Sequence, residues 1–290
     1  MSGSKPPSRR RGSSGGPRRP TPPSSRAVTP AAPAGRVRLY RMPAQQALAA
    51  LPAGSVSVLI TDPPYTSVDR RSGSGHLRRW FRGGLSWAEI GRILATARRR
   101  MRSDGVAFVM TNGDGLREAL TAMERAGFTR GRTITWDRRY PGLGAGLRHQ
   151  TEFILVGLLP GSRTLAGVDL VAVPAVGPGT AGRYPTEKPE GLGRKLAAIA
   201  GVGRGDVVLD PFCGSGALLV GAHERGATVI GSDIAAAAIA RARTKLGPGR
   251  GAAPVAGARR DASPARSRRH AAPPRPRPPS RTPRRRRRRG

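Results

Sequence analysis

The stretch VVLDPFCGSGALLVGA, residues 207–222, joins an apolar run to a glycine-rich turn and then to a second apolar run. Val207, Val208 and Leu209 suit a strand buried on both faces, and Asp210-Pro211 ends it. Gly214 and Gly216 permit backbone conformations, and a close approach by a ligand, that a side chain would block. The run from Ala217 favours a helix, whose N-terminus would attract a negative group. Strand, tight turn and helix make up the opening unit of a parallel α/β sheet. In such sheets ligands bind beyond the carboxyl ends of the strands, where this turn would lie. A turn of this kind can also serve packing alone, so the reading depends on the rest of the chain.

Outward from this unit the same alternation recurs. Strands are expected at RVRLY (36–40), SVLIT (57–61), GVAFVM (105–110), RTITW (132–136), TEFILVG (151–157), DVVLD (206–210) and ATVIGS (227–232). Between them lie amphipathic stretches. In SWAEIGRILATARRRM, Ser86 and Glu89 have capping-box spacing, and Trp87, Ile90, Leu94, Ala97 and Met101 share a face. In PEGLGRKLAAIAG, Pro189 suits the first helical turn, and Leu192, Leu196 and Ile199 form the stripe. This pattern predicts an α/β fold with a doubly wound, mostly parallel sheet. Residues 160–184 are rich in Gly and Pro and fit neither pattern.

The ends of the 290-residue chain differ from its middle. Residues 1–35 and 249–290 are Ser, Gly, Pro, Ala and Arg with almost no large apolar side chain, so both are expected to be disordered tails flanking one domain at 36–248. The tails hold 21 of the 35 excess positive charges, and the domain is basic in its own right. Such an excess fits a polyanionic partner, most simply nucleic acid, although a bias toward Arg, Ala, Gly and Pro could contribute to it. A single cysteine, Cys213, rules out an internal disulfide and a thiolate zinc site. It is expected to be a small buried residue. The four histidines have no ligand spacing, and no metal is expected. No apolar run approaches a membrane span and no secretory signal stands at the start, so the cytoplasm is the expected location.

Two further stretches place unusual residues at strand ends. SVLITDPPY (57–65) runs from an apolar strand into Asp62, Pro63, Pro64 and Tyr65. A proline-rich turn capped by an acid would account for it, yet an acid, two rigid residues and one flat ring are a specific combination. In TVIGSDI, Asp233 ends the next strand after the glycine-rich turn, where an acid can hold the two hydroxyls of a ribose or cap the following helix.

With DPPY (62–65) followed downstream by DPFCGSG (210–216), the chain resembles the amino-methyltransferases of DNA that use S-adenosylmethionine. The catalytic-type motif precedes the cofactor-type motif, with YPTEKP (184–189) between them, an order similar to that of the circularly permuted β class. GFTRGRTITW (127–136) and LRHQTEFILVG (147–157) also match, and the resemblance covers residues 37–246. It implies that Asp210, Phe212, Gly214 and Gly216 form the cofactor loop and that Asp233 holds the ribose. It also places Thr186 and Lys188 beside the methionine part, although Lys188 could equally be a solvated surface lysine. LYRMPAQQAL (39–48) departs from the family by carrying Met42 and Pro43 where Gly-Asp is usual, so a contact to the cofactor adenine is missing or replaced.

The chemistry that the resemblance implies explains the residue types. An exocyclic base amine is a poor nucleophile because its lone pair is conjugated with the ring. Acceptors on its N–H bonds, here the Asp62 carboxylate and the Pro63 carbonyl, favour a pyramidal nitrogen with an available lone pair. Tyr65 offers a face for a base flipped out of the duplex. Neither a metal nor a covalent intermediate is needed. The implied function is site-specific DNA methylation, as in restriction-modification. Asp before Pro-Pro favours adenine N6 over cytosine N4. Methylation of RNA or of a protein amine, and a non-enzymatic DNA-coating role, are the alternatives. Arg70, Arg71, Arg78, Arg79 and Arg82 surround Trp80 and Phe81 in the loop 67–84, which suits a DNA-facing lid or a solvated loop. The candidate target-recognition segment, 158–183, is short. Recognition is then loose, or shared with the 67–84 loop or with a second subunit of a homodimer.

Overall fold

The structure, a computed structural model, describes residues 35–65, 84–141, 146–176 and 187–247. Among these residues nine strands form one sheet. They are β1 (Val37–Arg41), β2 (Val56–Thr61), β3 (Met101–Thr111), β4 (Thr129–Arg130), β5 (Ile134–Asp137), β6 (Thr151–Leu158), β7 (Leu170–Ala172), β8 (Val207–Asp210) and β9 (Thr228–Asp233). The spatial order is β1-β9-β8-β2-β3-β6-β5-β7, with β4 beside β6. From β1 to β3 every pair is parallel; β6 then runs antiparallel to both β3 and β5. The helices are α1 (Ala44–Ala49), α2 (Trp87–Arg100), α3 (Leu116–Arg125), α4 (Glu190–Ile199), α5 (Val220–Glu224) and α6 (Ala236–Leu246).

The strand period of two sorts side chains onto two cores. Val58 and Ile60, Val106, Phe108 and Met110, and Val208 face a core that Leu192 and Leu196 of α4 and Ile239 of α6 complete. Leu59, Ala107 and Val109, and Leu209 face the other, with Leu48 of α1, Ile90 and Leu94 of α2, and Met123 of α3. The result is the expected doubly wound sheet with helices on both faces. At α2 the capping box is formed: Glu89 N–H donates to Ser86 Oγ at 3.3 Å, and Ser86 N–H donates to Glu89 Oε2 at 2.8 Å. Met101 leaves the helical stripe expected for it, because α2 ends at Arg100 and Met101 opens β3.

Two short strands were not expected. β4 is a two-residue pairing onto β6, and β7 pairs in parallel with β5 inside the Gly- and Pro-rich region. Part of the candidate recognition segment 158–183 is therefore sheet edge, and its residues 177–183 lie outside the described residues. So do both tails, apart from Gly35, and the loop 67–84 apart from Gly84.

The connection from β8 leads to β9 on one side, and that from β2 leads to β3 on the other. Between the parallel strands β8 and β2 the connections therefore lead apart, which places a crevice beyond the carboxyl ends of the strands.

Candidate active site

Asp62, Asp210 and Asp233 each stand at the carboxyl end of a strand, β2, β8 and β9, three consecutive members of the parallel half of the sheet. Asp62, Pro64, Asp210, Phe212, Gly214 and Asp233 line one cavity of about 290 Å³, together with Lys188. The DPPY motif and the glycine-rich turn thus share a wall, although 145 or more residues separate them in sequence.

The bonds across this wall are specific. Thr61 Oγ1 donates to Asp210 Oδ1 at 2.7 Å, and Phe212 N–H donates to the same oxygen at 3.0 Å. Asp210 is 1% exposed and so joins the end of β2 to the turn after β8. Burial raises its carboxyl to about 7, against the lowering effect of these two bonds. Asp233 accepts from Gly214 N–H at 3.1 Å and from Ala235 N–H at 2.8 Å. It does not cap α6, whose N-cap is Ala235. A carboxylate has about four acceptor positions, so these two bonds leave room for a diol.

The two glycines differ. Gly214 has φ +51° and lines the cavity. Gly216 has φ +78°, but a Cβ there would lie 3.1 Å from Ala242 Cβ and Leu246 Cδ1 of α6. Gly216 therefore serves the turn and its packing against α6, and it is not among the residues that line the cavity. The turn opens into a 3₁₀ turn, Ala217–Leu219, before the five-residue α5, so no long helix aims its N-terminus here. Cys213 is buried as expected, and burial pushes its thiol up.

On the catalytic-motif side, Lys188 Nζ donates to Asp62 Oδ2 and stands 3.6 Å from Glu152 Oε2. Its side chain is 11% exposed, which excludes the solvated-lysine reading. Burial works against the ammonium, but Asp62 and Glu152 outweigh it and hold Lys188 charged. Burial pushes the Asp62 carboxyl up, and Lys188 opposes this. Lys188 thus reaches the acid of the DPPY motif as well as the cavity wall. Thr186 lies outside the described residues.

Pro63 carbonyl accepts Tyr65 N–H at 3.0 Å, and Pro64 carbonyl accepts Leu85 N–H at 2.6 Å. These bonds fix the motif's backbone, and Pro63 O keeps a second lone pair. Tyr65 is 7% exposed and stacks on Trp87, with ring centroids 5.5 Å apart and planes 17° from parallel. The open aromatic platform expected from sequence is therefore not exposed in this structure: Trp87 covers one face, and the ring is packed into the core.

Sequence reasoning missed several residues here. Glu152 is the second residue of β6 and Glu187 lies within YPTEKP, and neither type nor spacing marks them. Glu187 accepts from Ser215 Oγ at 2.8 Å and pairs with Lys245 at 3.1 Å. The departure at Met42-Pro43 was legible: Met42, Pro43 and Gln45 all line the cavity.

Comparison with known proteins follows the same lines. Residues 167–243 match a family model described as DNA methylase, the N6/N4 type. Two curated relatives match short stretches. Both are tRNA (guanine(10)-N2)-dimethyltransferases, one from Methanothermobacter thermautotrophicus (43% identical over 51 residues) and one from Methanocaldococcus jannaschii (51% over 43). The matches span 18% and 15% of this chain but only 15% and 12% of theirs. Among solved structures, TTHA0409 of Thermus thermophilus, described as a DNA modification methylase, superposes with TM-score 0.55 at 20% identity. That match covers 74% of this chain and 95% of that one. M1.HpyAVI in complex with S-adenosylmethionine gives 0.57 at 18% identity, covering 72% and 98%. The cytosine-N4-specific PvuII DNA methyltransferase gives 0.59 at 13%, covering 73% and 86%. The fold is that of the S-adenosylmethionine-dependent methyltransferases.

Proposed function

We propose that the protein is an S-adenosylmethionine-dependent DNA methyltransferase that acts on an exocyclic base amine, with adenine N6 as the target and the motif order of the permuted β class. One observation carries this reading. Asp62 of the DPPY motif lines the same cavity as Gly214 and Asp233 of the cofactor-type turn. The match of residues 167–243 to the DNA methylase family supports it.

The residues present fit the cofactor. Gly214 leaves one wall without a side chain, Asp233 keeps acceptor capacity for a ribose, and Phe212, Leu218 and Ile234 supply apolar surface for a purine. In this reading the Gln45 amide stands where the usual adenine contact is missing. The bound cofactor would supply an electrophilic methyl group on sulfur. The chain's own part is positional and electrostatic. Asp62 and the second lone pair of Pro63 O would accept the two amine hydrogens, which leaves the nitrogen lone pair available. Lys188 opposes the rise that burial imposes on the Asp62 carboxyl and so favours its accepting form. Asp rather than Ser before Pro-Pro favours adenine.

A second reading is methylation of an RNA amine. It is favoured by the two curated relatives, which by name act on a guanine N2 of tRNA.

The test is transfer of labelled methyl from S-adenosylmethionine to duplex DNA, tRNA and protein in parallel, with Asp62→Ala beside the wild type. We expect label in DNA, at adenine. The variant should lose on the order of a hundredfold or more in rate. Its cofactor affinity by calorimetry should stay near normal, because Asp62 serves the amine. Label in tRNA alone would establish the second reading. Near-normal turnover by a folded Asp62→Ala protein would remove Asp62 from the mechanism.

A further inference from the structure

The hairpin between β5 and β6 plays no part in the site described above, yet it stands beside it. β6 is antiparallel to β3 with Phe153 opposite Thr111, and β3 is parallel to β2 with Val109 opposite Thr61. The start of β6 and the end of β5, where Asp137 pairs with Thr151, therefore lie at the same edge of the sheet as Asp62. Side chains make the link direct. Arg138 Nη1 is 3.6 Å from Glu152 Oε1, and Glu152 Oε2 is 3.6 Å from the Lys188 that holds Asp62.

The base of the hairpin is built. Asp137 Oδ1 accepts Arg139 N–H at 2.9 Å and Gln150 Nε2 at 3.0 Å, and Arg138 N–H donates to Gln150 O at 3.0 Å. Beyond this base the residues are unusual for a solvated loop. From Arg138 to Gln150 the sequence holds three arginines and a histidine and no acid. Arg139 is 61% exposed, with its Nε 3.1 Å from Asp137 Oδ2, and Arg148 is exposed. Tyr140 and Leu147 are two of the five large hydrophobic side chains exposed among the described residues, and Leu147 has no cover at all. Exposed cations beside an exposed ring and an exposed aliphatic chain suit a duplex, with phosphates for the charges and unstacked bases for the apolar groups.

We propose that the described ends of the β5–β6 connection form a DNA-contact surface in which Arg139 and Arg148 bind backbone phosphates and Tyr140 and Leu147 press against the base stack beside the extruded nucleotide. The proposal rests on the DNA-methyltransferase reading and adds a surface that the DPPY and glycine-turn motifs do not predict. It places duplex engagement on this hairpin as well as on the candidate segment 158–183.

The experiment uses the full chain and two double variants, Arg139→Ala/Arg148→Ala and Tyr140→Ala/Leu147→Ala. Calorimetry with S-adenosylmethionine serves as the control for an intact site; all four side chains are exposed, so folding is not expected to suffer. Methyl transfer is measured on the same DNA as duplex and as separated single strands, and on a tRNA transcript. The arginine variant should raise KM for duplex DNA about tenfold and lower the salt slope of log affinity by roughly 0.9 for each phosphate it no longer neutralises. The apolar variant should lose about tenfold on duplex and less than about twofold on single strands, where no base has to leave a stack. Unchanged duplex kinetics in both variants, or equal losses on duplex and single strand in the apolar variant, would overturn the proposal while leaving the enzyme reading intact. Losses on tRNA alone would assign the surface to RNA and overturn it as well. No transfer to DNA by the wild type would instead overturn the enzyme reading and this inference with it.

Discussion

Asp210 shows how one buried acid can serve architecture at a ligand site. Its Oδ1 receives both the Thr61 hydroxyl and the Phe212 N–H, so it joins the catalytic-type and cofactor-type motifs without needing a ligand itself. Burial raises this carboxyl from 3.8 to about 7. A carboxyl with a raised folded pKa holds its proton more tightly when folded. Its contribution to stability is full below the unfolded pKa and is lost as pH rises through about 7. Asp210→Asn keeps the size and one acceptor but cannot ionise. The wild type should therefore lose thermal stability between pH 5 and pH 8 by up to a few kcal/mol relative to the variant. Melting both proteins across that range checks this, and parallel pH profiles would mean that Asp210 is ionised throughout. The sequence showed that Asp210 belonged to the turn, because an acid after an apolar run stands out. It did not show the bond to Thr61, which lies 149 residues away in the chain. The same limit hid Glu152: a glutamate at the start of a strand reads as a solvent-facing residue until Lys188, from another segment, is placed against it.

At the scale of elements, the legible parts were those whose apolar pattern is complete within a few residues. β2, β3, β6, β8 and β9 are apolar runs that need no partner to be recognised, and Ser86 with Glu89 marked the start of α2. β4 and β7 are two and three residues long and exist because β6 and β5 offer them hydrogen bonds, so no local pattern announces them. Close helix packing was equally silent. At the crossing of α4 and α5, a Cβ on Gly221 would lie 2.3 Å from Arg194 Cα, and one on Gly193 would lie 2.6 Å from Leu218 O. Helix propensity alone favours Ala over Gly by about 1 kcal/mol. Here backbone stands in the way, and overpacking of this kind costs roughly 1–3 kcal/mol or more. Gly221→Ala should therefore lower the melting temperature despite its better propensity. It should also weaken cofactor binding, since α5 carries the Gly214 turn on its N-terminal side. A variant as stable as the wild type would show that the two helices can separate at little cost.

For the whole molecule, the question is how charge divides between the sheet and the ends of the chain. The sheet is complete within residues 36–247: β1 closes one edge against β9, β7 closes the other against β5, and both cores draw on residues between these limits. Residues 1–34 and 249–290 hold few apolar groups but carry 21 of the 35 excess positive charges. If DNA is the substrate, arginines in these segments displace counterions from phosphates without reading bases. Removing both segments should then leave cofactor affinity and the site of methylation unchanged while weakening DNA binding. The slope of log affinity against log salt should become shallower by roughly 0.9 for each phosphate that the shortened chain leaves unneutralised. The loss should be the same on methylated-site and unrelated duplexes, because nothing in RTPRRRRRRG (281–290) carries a base-reading pattern. Measuring both forms across a salt series on the two duplexes separates the contributions. Equal slopes would mean that the terminal arginines do not touch DNA, leaving the domain's own basic surface, the β5–β6 hairpin among it, to account for the electrostatic part of binding.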